Sequence, residues 1–340
     1  MRYHVSTAVW GDSFRELYLG LSLPCQLAPG NLGHFAGSGR LLYSLYTTSR
    51  DAERLKSSPV FQRLCRTVEV DLNIVEGIES AQDTYQVLTL CHRHSVMQAN
   101  RDDAALIPMH PDQIWADGSL VTLDRLAGQG KRLVKLFAPR VSLEPFGPDV
   151  KEGFYLPSEH SLAVPPRQLV RLSLKHLHPV SASHFWDSPV FNRWPSHLLW
   201  PVPGEGLLAR CFHLHPCLIY PRDKEALPQD TIDTGQYLER VAAGAEEIHV
   251  VEDSDQLCMV DMTSLHWQSA MNQQVPGRAD VAAVTQWARL KATPLQYYFL
   301  RHRMRWHQGE CSPAWREVEA ASDQVVSAIL AGLEQQPAPA

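Results

Sequence analysis

The chain lacks the short motifs that mark the commonest nucleotide and hydrolase chemistries. It has no GxxxxGK[ST], which argues against a P-loop NTPase, and no GxSxG, which argues against the nucleophile elbow of α/β-hydrolases. The missing GxGxxG weakens a dehydrogenase or methyltransferase of the usual kind. No CxxC occurs among the seven cysteines, which are scattered, so a zinc knuckle or thioredoxin-type site is not expected. An excess of basic charge is also missing. The net charge of −6 and pI near 6.2 argue against bulk nucleic-acid binding, although a few local arginines can still hold a small anion. No run approaches the ~20 apolar residues of a membrane span. The opening residues, MRYHVSTAVWGDS, carry no long apolar stretch of the secretory kind. Scattered cysteines in a chain of 340 residues fit a reducing compartment, and a bacterial cytoplasmic protein is the expectation.

What is present is an alternation of strand and helix patterns. Strands are expected at Tyr3–Val9, Leu41–Tyr46, Val68–Val75, Ala104–Met109 and Lys131–Phe137. Helices are expected at Ser13–Leu23 (Ser13 as N-cap, Phe14, Leu17, Tyr18 and Leu21 on the inner face), Asp51–Cys65, Ala81–Arg101 and Leu120–Gly128. This order implies βαβ units and a mainly parallel α/β sheet. Right-handed crossovers place every strand's carboxyl end on one rim. That rim would carry Trp10–Asp12, Thr47–Asp51, Val75–Gly77, His110–Ser119 and Ala138–Arg140. Residues 145–205 are rich in proline and aromatics and read as irregular, apart from a helix at Pro165–His176. Strand patterns return at Gly206–His213, Leu218–Tyr220, Glu247–Val251 and Leu257–Asp261. Helices are expected over Asp280–Arg305 and Pro313–Leu333, and a disordered tail over 336–340.

Four stretches carry candidate chemistry. In AALIPMHPDQIWADGS (104–119), Asp112 and Asp117 follow an apolar strand, where open α/β sheets bind ligands. They suit a divalent cation or the hydroxyls of a sugar or nucleotide; the plainer reading is a strand breaker and a helix cap. In CFHLHP (211–216), His213 and His215 alternate along an expected strand and so share a face. They suit a metal pair or a ligand plus a base, or else two hydrogen-bonded core imidazoles. In VEDSD (251–255), Asp253 and Asp255 form an Asp-x-Asp after a strand, able to grip one ion, or else a β-turn. Thr231-Ile-Asp233 offers a polar contact or a loop hydrogen bond. Beside these, Arg140 suits a phosphate or a surface ion pair. The rings of Trp186, Trp194 and Trp200 suit a sugar face or the core.

The order of these motifs resembles a group of bacterial proteins related to nucleotide-diphospho-sugar transferases of the GT-A fold. The residues that carry the resemblance are TAVWGDSF (7–14), LPCQLAPGNL (23–32), NRDDAALIPMHPDQIWADGS (100–119), RCFHLHP (210–216) and VEDSD (251–255). It implies a GT-A-like, Rossmann-like sheet flanked by helices, with a C-terminal helical extension. The chain would divide into a nucleotide-binding half (1–140), an acceptor and metal half (141–265), the extension (266–335) and the tail. The implied activity is transfer of a sugar from a nucleoside diphosphate sugar to an acceptor hydroxyl, assisted by Mn²⁺ or Mg²⁺. Thr7, Trp10, Gly11, Thr47, Asp51, Asp112, Asp117 and Arg140 would meet the nucleotide. Asp112, Asp117, His213 and His215 would hold the metal, and Asp253, Asp255 and His215 would serve catalysis. HPDQIWAD departs from a true Asp-x-Asp. The alternatives are a metal-dependent hydrolase built on His213 and His215, and a sugar- or partner-binding protein without turnover.

Overall fold

A computed structural model describes residues 1–77, 83–233, 235–267 and 274–335. The expected start of a helix at Ala81 and the expected disordered tail lie outside these residues. The chain divides into two compact units. The first comprises Met1–Leu136, Gly147–Pro165 and His215–His249; the second comprises Phe137–Phe146, Pro166–Leu214 and Val250–Ala340.

The first unit is built on a seven-stranded sheet. Across the sheet its strands are Ile248–Val250, Leu133–Leu136, His215–Ile219, Ala104–Pro108, Arg2–Ala8, Leu41–Thr47 and Glu69–Ile74. Arg2–Ala8 pairs in parallel with both neighbours, Val5 lying opposite Tyr43 on one side and Ile107 on the other. Leu41–Thr47 and Glu69–Ile74 are also parallel. His215–Ile219 is inserted antiparallel between Ala104–Pro108 and Leu133–Leu136. Its register shifts between Pro216 and Leu218, as expected where a proline has no N–H for the ladder. Every residue of Ala104–Pro108 and Leu133–Leu136 is buried; the first therefore reads as an apolar run and not as an alternating one, and the second takes Lys135 into the interior. The mainly parallel α/β sheet expected from the sequence is thus present, with each of its strands within a few residues of the expected bounds, His215–Ile219 apart.

Several helices differ from expectation for identifiable reasons. Asp51–Cys65 is two helices, Ser49–Lys56 and Pro59–Thr67. Asp280–Arg305 is likewise two, Val281–Lys291 and Pro294–Leu300, followed by a strand, Met304–His307. Both breaks fall before a proline, which drives the preceding residue to extended backbone: Ser58 has ψ 129° and Thr293 ψ 165°. Near the N-terminus the cap is Gly11 (φ 80°) and not Ser13, and Phe14 is 49 % exposed while Arg15 faces inward. Leu143–Phe154, within the stretch read as irregular, is helical.

The second unit contains a three-stranded antiparallel sheet, His197–Val202, Gly206–Cys211 and Met304–His307. It also contains a parallel pair, Arg140–Ser142 with Met259–Thr263. Its core gathers Leu198, Trp200, Leu208 and Phe212 against Trp315 and Ile329 of the helix Ala314–Gln335. Trp186 stacks on Trp200 at 5.9 Å between ring centroids, and both rings pack in this core.

Candidate functional site

In the first unit the chain leaves Arg2–Ala8 for a strand on one side of it and later returns as Ala104–Pro108 on the other. Such a reversal opens a crevice at the carboxyl ends of the two strands, where open α/β sheets take ligands. The residues that follow these ends are Trp10 and Gly11 on one strand and His110 to Asp112 on the other. Trp10, His110 and Asp112 are half-buried and Gly11 is exposed. The His110 N–H donates to Gln113 Oε1 at 3.1 Å, and its carbonyl accepts the Ser22 hydroxyl at 3.2 Å. These bonds set the loop backbone without using the His110 ring.

Other residues expected at this rim serve the interior. Thr7 is buried, its hydroxyl 3.0 Å from that of Tyr43, and Thr47 is buried. Asp51 is 2 % exposed and binds the Gly11 N–H at 2.9 Å, the Thr48 hydroxyl at 3.1 Å and the Arg15 guanidinium. Burial alone would raise its carboxyl; the Gly11 N–H, Arg15 and Thr48 outweigh this and hold it below the usual range. Asp117 Oδ1 accepts the Gly30 N–H at 2.7 Å. That bond joins two backbones in close approach, since a Cβ on Gly30 would lie 2.6 Å from Gly118 Cα. Within Asp117-Gly118-Ser119, which the plainer reading expected to cap the next helix, Gly118 is the N-cap residue, in the left-handed conformation.

His213 and His215 do not share a strand. Gly206–Cys211 ends before His213, and the next strand begins at His215, opposite Leu136. The division between the two units also falls between them, after Leu214. Among the described residues, the four side chains Asp112, Asp117, His213 and His215 do not form a group with ligand atoms in mutual reach. Arg140, in the second unit, donates to Thr263 Oγ1 at 3.0 Å and lies over the Trp267 ring.

A metal-competent group does form in the second unit, from Asp253, Asp255 and His307, with ligand atoms within 4.8 Å of one another. The residues 252–254 run alongside the strand Met304–His307. The Arg305 N–H donates to the Glu252 carbonyl at 2.8 Å, the Ser254 N–H to the Arg305 carbonyl at 3.0 Å, and the His307 N–H to Ser254 Oγ at 3.1 Å. Asp253 Oδ1 accepts the Asp255 N–H at 2.8 Å, so a side-chain-to-backbone turn brings the two carboxylates together, not the strand pleat expected from their spacing. His307 Nε2 lies 2.9 Å from Asp253 Oδ1, and Nδ1 bonds the Gly309 carbonyl at 2.6 Å. Asp255 accepts three hydrogen bonds from Nε and Nη2 of Arg167, which also reaches Glu310.

The donor set fits a divalent cation in type. A histidine whose second nitrogen is fixed by a carbonyl is the usual arrangement of a metal ligand. To bind one ion through Nε2, His307 must give up its bond to Asp253. Sequence reading missed His307 because the start of its strand, Met304 and Arg305, falls at the end of an expected helix and His307 itself lies in no expected element. The signal was the alternation of Met304 and Trp306, both buried, with Arg303 and Arg305.

No family model and no curated protein matches the sequence. Among solved structures, the chain is similar to S. aureus TarS with 9 % identity and a TM-score of 0.38, over 98 % of this chain and 43 % of that one. TarS 1-349 gives 8 % and 0.34, over 99 % of this chain and 73 % of that one. The mannosyltransferase PcManGT from Pyrobaculum calidifontis, in complex with GDP-Man and Mn2+, gives 11 % and 0.34, over 98 % of this chain and 74 % of that one. None of the three reaches a TM-score of 0.5, and the fold stands on strand order and direction alone.

Proposed function

We propose that the chain is a GT-A-like glycosyltransferase that binds a nucleoside diphosphate sugar at the carboxyl rim of the first unit and transfers the sugar to an acceptor hydroxyl. The observation that carries this reading is the reversal at Arg2–Ala8, which places Trp10, Gly11, His110 and Asp112 after the ends of two adjacent parallel strands. Trp10 offers a ring face to a base, Gly11 a backbone close enough for phosphate or ribose, and Asp112 a carboxylate for a cation against the diphosphate. A bound divalent ion would offset charge developing on the leaving diphosphate. Asp253, Asp255 and His307 are proposed as a cation group of the second unit, Mn²⁺ or Mg²⁺ being the expected ions.

A second reading, a metal-dependent hydrolase, is supported by the Asp253, Asp255 and His307 group itself, whose His-and-carboxylate set also suits Zn²⁺. Thermal-shift titrations with UDP-, GDP-, CMP- and dTDP-sugars, each with and without Mn²⁺, separate the two. A ligand at 100 times its dissociation constant stabilises the fold by about 2.7 kcal/mol. Stabilisation by one nucleotide sugar, reduced by Asp112→Ala, supports the transferase. Stabilisation by metal alone, lost in Asp253→Ala and indifferent to every nucleotide, supports the hydrolase and sinks the transferase.

A further inference from the structure

The segment after the antiparallel strand His215–Ile219 is tacked along the helix Thr84–Arg101. Asn100 Nδ2 donates to the Lys224 carbonyl at 2.7 Å, Arg93 to the Pro228 carbonyl at 3.2 Å, and the Ile232 N–H to His92 Nδ1 at 3.2 Å. Ile232 is buried at 1 % exposure, so the bond to His92 is shielded from water and fixes the next residue, Asp233. Asp233 is half-buried. Its carboxylate acts electrostatically on two buried groups, the His92 ring and the ammonium of Lys135. Lys135 lies in the strand Leu133–Leu136 and is 1 % exposed. The ring of His92 lies 6.1 Å from that of His110, which follows Ala104–Pro108 at the sheet's carboxyl rim.

A lysine with no solvent is an expensive way to build a strand, and an apolar side chain of similar volume would serve stability as well or better. Burial lowers Lys135 to about 8, against the pull of Asp233, so it stays cationic at neutral pH. Burial, then His110, lowers His92 to about 3, so its ring is neutral there and accepts the Ile232 N–H at Nδ1. A half-buried carboxylate within electrostatic reach of a buried cation, and fixed through His92 beside a histidine at the rim, is the kind of arrangement found at functional sites.

We propose that Asp233, facing the charge of Lys135 and kept in place through His92 near the rim, is the general base for the acceptor hydroxyl. This rests on the glycosyl-transfer reading and names the acceptor side of that site. In the step, Asp233 takes the hydroxyl proton as the acceptor oxygen bonds to the anomeric carbon. The bond from that carbon to the phosphate oxygen breaks, its electron pair leaves with the nucleoside diphosphate, and the protonated Asp233 returns the proton to solvent. Lys135 and His92 are positioning residues.

The test uses the full chain and the same nucleotide sugars, with water as the acceptor, and follows both donor binding by calorimetry and donor hydrolysis. Asp233→Asn is expected to bind the donor within about twofold of wild type and to lose turnover by about 10²–10⁴-fold. Asp233→Glu, which keeps the charge, is expected to recover part of it. Lys135→Met is expected to move the acid limb of the rate to higher pH, because the carboxylate loses its counter-charge; a merely structural lysine would leave that limb in place. Turnover in Asp233→Asn within threefold of wild type would overturn the proposal and leave the transferase standing. If Asp233→Asn does not fold, full activity in Asp233→Glu with an unmoved acid limb in Lys135→Met overturns it equally. Wild-type protein that neither binds nor hydrolyses any of the four donors would overturn the transferase reading, and this proposal with it.

Discussion

Asp253 and His307, 54 positions apart in the chain, meet at 2.9 Å through a ring that has an acceptor at each nitrogen, a carboxylate at Nε2 and the Gly309 carbonyl at Nδ1. A neutral imidazole has one N–H and cannot donate to both, so the arrangement calls for the imidazolium. The bond to Asp253 raises the His307 pKa above 6.5 against the effect of burial, and the same bond lowers Asp253 below 3.8. The raised histidine contributes stability that is complete below 6.5 and fades as pH rises through its folded value. The lowered carboxyl contributes above 3.8 and fades as pH falls through its own. The pair therefore contributes most between these limits. Asp253 is half-exposed, so the contribution is at most about 1 kcal/mol. Urea midpoints from pH 5 to 9 should fall at the alkaline end in wild type and flatten there in His307→Gln. A His307→Gln profile that keeps the alkaline fall would contradict the ion pair.

A divalent ion at the same group has to replace the proton on Nε2. Mn²⁺ affinity should therefore rise by about tenfold per pH unit while His307 is protonated, with about one proton released per ion. Calorimetry in two buffers of different ionisation enthalpy measures that proton directly. Asp253→Asn should abolish binding, whereas Arg167→Gln should strengthen it by freeing Asp255. Affinity that ignores pH would place the ion elsewhere.

These residues also show where the sequence was legible. The parallel strands were readable from short stretches rich in β-branched, aromatic and other apolar residues, of which Ala104–Pro108 is wholly apolar, and Asp253 and Asp255 were readable because they lie two apart after a strand pattern. His307 could not be placed beside them: the partner is set by strand pairing across 54 residues, which leaves no local pattern. His213 and His215 misled for the opposite reason. Their spacing fits a strand, but the strand breaks between them where the chain passes from one unit to the other. The two missed helix breaks, at Ser58 and Thr293, were readable from the prolines that follow. Thr7, Thr47 and Asp51 stand at the expected strand ends, yet burial turns them inward, and burial is a tertiary fact.

Gly206 is the residue that lets His307 approach. It pairs with His307 in the antiparallel sheet, and a Cβ built on it runs into the Trp306 carbonyl and lies 3.0 Å from His307 Cα. The obstructing atoms are backbone, so the strand itself must move. Gly206→Ala is expected to destabilise the protein by about 1–3 kcal/mol and to weaken Mn²⁺ binding at the same time. Loss of stability with unchanged Mn²⁺ affinity would separate His307 from the cation group.

Arg210 and Asp323 should respond asymmetrically to substitution. Arg210 is 2 % exposed and donates to the Arg301 carbonyl at 2.7 Å, to Ser322 at 3.2 Å and to Asp323. Asp323 also binds Arg303. Arg210→Met removes the buried charge, fills its volume and leaves Asp323 partnered, so the expected cost is about 1 kcal/mol or less. Asp323→Asn leaves a buried guanidinium short of its counter-ion and should cost about 3 kcal/mol. Chemical denaturation of the two variants decides it, and an equal or reversed order would mean that Arg210 draws its compensation from another group.

Asp51 distinguishes a residue that binds the nucleotide from one that builds the loop that does. As a direct ligand, its loss would weaken donor binding and leave the fold intact. The geometry leads to the other expectation. Its carboxylate holds the Gly11 N–H, the Thr48 hydroxyl and Arg15, and it is 2 % exposed. Asp51→Ala removes all three bonds and leaves Arg15, 6 % exposed, with Asp12 at 2.8 Å as its ion-pair partner. Breaking a buried pair from one side costs about 3–5 kcal/mol; the exposed Asp12 offsets part of that, so about 2–3 kcal/mol is expected. Because Gly11 is set by the same carboxylate, donor affinity should fall as well. Asp51→Asn, which keeps one acceptor oxygen, should restore part of both together. Stability and affinity that move in step across the two variants fit a scaffold role. Affinity lost at full stability would return Asp51 to the nucleotide.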